Sequence, residues 1–64
     1  MKSAQERFAD LTALLEDLHG LAVEGQHHDL TEEIGKVLCA SITAGLARGK
    51  RQVADIRRLL GTAT

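Results

Sequence analysis

The sequence predicts an all-α protein: an antiparallel helical hairpin of two long helices that dimerises into a four-helix bundle. Three observations carry this expectation. Ala and Leu, both strong helix formers, dominate a chain with no Pro, Trp or Tyr, and runs of alternating β-branched residues are absent. Apolar residues recur at helical spacing in two stretches, one on each side of the polar segment Gly25-Gln26-His27-His28-Asp29. With 64 residues the chain makes one domain at most, and a chain this short buries only roughly 60% of its unfolded surface. Small scaffolds compensate with disulfides, metals or oligomerisation, and a single cysteine, Cys39, removes the first.

Helix 1 is expected over about residues 4–24. Ser3 is a good N-cap residue, and Glu6 three positions on completes a capping box. Ala4, Phe8, Leu11, Leu15, Leu18 and Ala22 alternate steps of four and three, a coiled-coil-like seam that Leu14 and Leu21 widen into a core stripe. Gly20 could end this helix, but the stripe continues through Leu21 and Ala22. The expected helix therefore runs on, at a cost of about 1 kcal/mol relative to Ala.

A turn is expected over about residues 25–29, with Asp29 and Glu32 as a second capping pair, so that helix 2 covers about residues 30–60. Leu30, Ile34, Val37, Leu38, Ile42, Leu46, Val53, Ile56, Leu59 and Leu60 share one side of it. Ser41, Gly45 and Gly49 fall inside the same arc and read as helix-packing positions, while Gln52 and Arg48 intrude. Gly61 is the expected stop, with Thr62-Ala63-Thr64 frayed beyond it. The alternative architecture breaks at Gly49 and folds residues 51–60 back as a third helix.

A turn centred near residue 27 sets residue 16 opposite 39 and residue 7 opposite 48. Helix 2 then overhangs the start of helix 1, which leaves Ile56, Leu59 and Leu60 without cover from their own chain. A homodimer supplies that cover. The apolar spacing is compatible with a parallel or an antiparallel arrangement of the two chains.

Charge is lopsided. Residues 1–33 hold eight acids and two bases, and residues 34–64 hold one acid and six bases. The first reading is internal complementation across the hairpin, with the arginines of helix 2 paired to Glu6 and Asp10. The second is an anionic partner. The charged N-terminal stretch does not read as a signal peptide, and no apolar run is long enough to span a bilayer, so a soluble, cytoplasmic protein is expected, with no membrane partner.

The chemical candidates are weak. Glu16 and His19 have the E-x-x-H spacing of di-metal bundles, but helix 2 offers no carboxylate at the matching height. Glu24, His28 and Glu32 are four apart and, with His27, could hold a metal only on a continuous helix that the turn interrupts. Cys39 has no histidine within a helical turn and reads as a packing residue. No catalytic residue, metal site or cofactor site is assigned, and an enzyme is not expected.

The expected function is a non-enzymatic protein–protein interaction module, adaptor-like or chaperone-like, with a protein partner. Its partner-binding residues are Val53, Ile56, Arg57, Arg58, Leu59 and Leu60. The alternative is a helix-turn-helix DNA-binding regulator built from residues 42–60. Against it, the turn would need Ala47 and Arg48 where glycine and an apolar residue are usual. Gln52 is its one base-reading candidate.

Overall fold

The computed structural model describes residues 2–61, so the expected fraying of residues 62–64 lies outside the described residues. Two helices form, α1 (Ala4–Glu24) and α2 (Glu32–Leu59), and they pack against each other as a hairpin. The start of α1 is chemical and local. Ser3 Oγ accepts from the Glu6 amide at 3.2 Å, while Glu6 Oε1 accepts from the Ser3 amide at 3.0 Å. The carboxylate of Glu6 is held below its ordinary value by these bonds, the backbone one first. Gly20 is helical, and α1 continues to a C-cap at Gly25.

The second helix starts two residues later than the sequence suggested. Both Asp29 and Thr31 are cap-type residues, and Thr31 takes the role, its Oγ1 accepting from the Ile34 amide at 3.2 Å. Glu32 and Glu33 lie in the first turn and Arg57 and Arg58 in the last, each sign matched to the helix dipole. Gly61 closes the helix with φ +67 and donates its amide to the Arg58 carbonyl at 3.1 Å. Gly49 lies within α2, so there is no break there and no third helix among the described residues.

The register departs from expectation by about two turns. Leu38 reaches Gly25, Leu18 packs on Gly45, Leu14 and Leu11 on Gly49, and Arg7 pairs with Asp55 at 3.7 Å. The cause is the connection, which occupies residues 25–31 instead of forming a tight turn. It descends past the end of α1 through short turns, Gln26 to Val23 at 2.9 Å and Leu30 to His27 at 3.1 Å, and Leu30 folds back over Gly35. The unopposed part of α2 is therefore its first turns, at the connection end. Ile56, expected to overhang, is instead only 3% exposed.

The seam inside the hairpin is also a different one. On α1 the inward residues are Ala4, Arg7, Leu11, Leu14, Leu18 and Leu21; on α2 they are Gly35, Leu38, Ile42, Gly45, Gly49, Gln52 and Ile56. Both rows step by three and four, the pattern of an antiparallel coiled coil. Leucines of α1 face glycines of α2, which lets the backbones approach. Ser41, expected in that row, is exposed, one position ahead of Ile42.

Charge complementation takes a different form from the expected one. Among the described residues the one interhelical ion pair is Arg7 with Asp55, a base of α1 with an acid of α2. Asp10 takes Lys2 at 2.6 Å, Glu6 caps its own helix, and Arg58 folds onto Asp55. The register explains this, because the basic end of α2 lies beside Lys2 and Arg7. No helix among the described residues is long and apolar enough to cross a membrane.

A candidate interaction face

The inward rows define a seven-residue frame, and that frame sorts the exposed apolar residues. Directly beside the α1 seam stand Phe8, Leu15 and Ala22; beside the α2 seam stand Cys39, Leu46, Val53 and Leu60. In an antiparallel pair these two rows flank the same side of the interface. Leu15, Leu46 and Val53 accordingly line one groove with Leu11, Leu18, Gly45 and Gly49. The large members of the face, Phe8, Leu15, Leu46, Val53 and Leu60, are each 42–59% exposed.

The opposite edge is polar. Asp10 and Asp17 of α1 and Arg48 and Gln52 of α2 line its groove together with Lys2. The hairpin thus has one apolar side and one charged side, and its buried apolar core is small: Leu14, Leu38 and Ile56.

Of the six residues expected to bind a partner, Val53 and Leu60 belong to this face. Leu59, Arg57 and Arg58 are exposed at the open end, and Ile56 is withdrawn into the intrachain core. Of the three expected helix-packing positions, Gly45 is buried, Gly49 half-buried and Ser41 exposed. Phe8, Leu15 and Leu46, expected in the core stripes of their helices, are exposed instead. The signal for them was present, because Leu14 and Leu21 cannot share one seam with Phe8, Leu15 and Ala22.

A second apolar patch lies at the connection end. Ile34 lines two adjoining grooves there, one with Leu30 and one with Val37, and Glu24 borders both. Val37 is 65% exposed, standing one position outside the inward row that buries Leu38.

The histidine cluster is rearranged from the one anticipated. His27, His28 and Asp29 place their ligating atoms within 4.8 Å of one another, all exposed, with the imidazoles stacked at 4.9 Å. His28 Nε2 lies 3.2 Å from Asp29 Oδ1, while Glu32 pairs with Lys36 at 3.4 Å. Residues 25–31 are not helical, so the four-residue spacing of Glu24, His28 and Glu32 does not align them. Cys39 is a free, exposed thiol. Residues 42–59 form one uninterrupted stretch of helix, without the turn at Ala47–Gly49 that a helix-turn-helix requires.

Compared with known protein families, curated protein sequences and solved structures, the chain matches none.

Proposed function

We propose that this protein is a non-enzymatic protein–protein interaction module, adaptor-like or chaperone-like, that works as a homodimer in the cytoplasm. Two hairpins join through the face of Phe8, Leu15, Leu46, Val53 and Leu60 and form a four-helix bundle. The observation that carries this reading is one apolar side: Phe8, Leu15, Leu46, Val53 and Leu60 are each 42–59% exposed on it, over a small intrachain core of Leu14, Leu38 and Ile56.

The patch of Leu30, Ile34 and Val37, bordered by Glu24 and Glu33, remains for a further protein partner once the dimer face is covered.

Cys39 offers a direct test, because it sits in the α2 row of the dimer face. Alkylation of its thiol should slow as protein concentration rises and speed up on dilution. A rate independent of concentration would count against the dimer. Binding to random duplex DNA at low salt should be absent. A complex that weakens steeply with added salt would point to the nucleic-acid reading instead.

A further inference from the structure

We infer that the two hairpins of the dimer lie antiparallel, with the connection of each against the open end of the other; this rests on the homodimer proposed above. Two gradients along the hairpin, independent of each other, select this orientation.

The first is charge. Leu14 is level with Gly49, and that level divides the molecule into an open half and a connection half. The open half, residues 2–13 and 50–61, carries six bases against three acids. The connection half, residues 14–49, carries six acids against two bases. The hairpin is 48 Å long, several times the screening length of about 8 Å at physiological salt, so its ends act as separate poles. A parallel dimer sets like poles side by side. An antiparallel one sets each positive half beside a negative half.

The second gradient is side-chain size along the dimer face. Bulky residues stand at the open end, Phe8 on α1 and Leu60 on α2; small ones stand at the connection end, Ala22 and Cys39. In a parallel dimer α1 lies beside the partner's α2. The bulky ends then crowd each other and the small ends leave a void. In an antiparallel dimer α1 lies beside its copy and α2 beside its copy. Phe8 then meets Ala22, Leu60 meets Cys39, Leu46 meets Val53, and Leu15 meets itself on the two-fold axis. Large residues facing small ones fill an interface without voids or strain. The row on α1 centres on residue 15 and that on α2 between 46 and 53. By the register set at Gly45 and Gly49 these centres agree in height to about 2 Å, so one axis serves both rows. Lys50 is the one like-charge approach this geometry creates, since it comes near its own copy at the axis.

Pulsed electron–electron dipolar spectroscopy tests the orientation. A nitroxide on Gln26→Cys, in a Cys39→Ser background, marks the connection of each chain. The antiparallel dimer places the two labels about 35–40 Å apart, counting 1.5 Å per helical residue from the axis. A distance of about 20 Å or less, in a preparation that sediments as a dimer, would overturn the orientation and leave the dimer standing. A labelled chain that sediments as a monomer would overturn the dimer and the orientation with it. Two unlabelled variants give a readout free of the probe. Ala22→Phe should weaken the antiparallel dimer at least tenfold by crowding Phe8, whereas it would tighten a parallel one by filling the void beside Cys39. Lys50→Gln should tighten the antiparallel dimer; an unchanged or weaker dimer would count against the axis position.

Discussion

Gly45 of α2 lies against Leu18 of α1 so closely that a methyl group on residue 45 would collide with Leu18 Cδ2 and sit 3.2 Å from its Cγ. Four residues along, the same row is looser. A Cβ on Gly49 would rest 3.6 Å from Leu14 Cδ2, an ordinary van der Waals distance. Gly20, on the outer side of α1, would meet nothing within 4 Å.

These three glycines should therefore respond differently to the same change. Gly45→Ala should destabilise by about 1–2 kcal/mol, because Leu18 must leave its place in the seam. Gly49→Ala and Gly20→Ala should each stabilise by about 1 kcal/mol through helix propensity. Urea unfolding at fixed protein concentration checks all three. Equal effects at positions 45 and 49 would contradict the packing described.

Ile56 and Leu60 test the register. Ile56 is 3% exposed in the intrachain seam, so Ile56→Ala should cost about 2–4 kcal/mol. Leu60 is 59% exposed at the end of α2. Its replacement by Ala should leave helix content at high protein concentration nearly unchanged and act on association instead. Thermal melts followed at two concentrations separate the effects. If the overhang lay at the C-terminal end of α2, the two variants would behave alike.

The N-terminus of α1 gives a pH prediction. Hydrogen bonds from Ser3 hold the Glu6 carboxylate below its ordinary pKa of 4.5. A lowered folded-state pKa contributes stability that is present above the unfolded value and lost as pH falls through the folded one. The capping contribution should accordingly fade below about pH 4.5. Ser3→Ala should remove the shift and cost about 1 kcal/mol at neutral pH. Titration of the Glu6 side chain by NMR, with and without that substitution, reads both effects.

Much of this fold was legible in the chain, and the part that was not has a physical reason. The capping box at Ser3 and Glu6, the passage of α1 through Gly20 and the stop at Gly61 are local, and local chemistry specifies them. The start of α2 was displaced because Asp29 and Thr31 compete for one role. The register was out of reach, since it depends on how far residues 25–31 descend before the chain turns back. That single length moved the overhang from Ile56 to Ile34 and Val37. The outward stripe was visible in the spacing, but its orientation was not: Leu11 and Leu18 belong to both the Leu14 seam and the Phe8–Leu15 row, and spacing alone does not say which row faces the chain's own second helix.

The proposed dimer through Phe8, Leu15, Leu46, Val53 and Leu60 is tested most directly by sedimentation equilibrium over a wide concentration range. Wild-type protein should approach twice the 6.9 kDa chain mass at high concentration and dissociate on dilution with loss of helix. Leu46→Lys, which places a charge at the middle of the face, should remain at the mass of one chain. A wild-type chain that stays a well-folded monomer at every concentration would contradict the account.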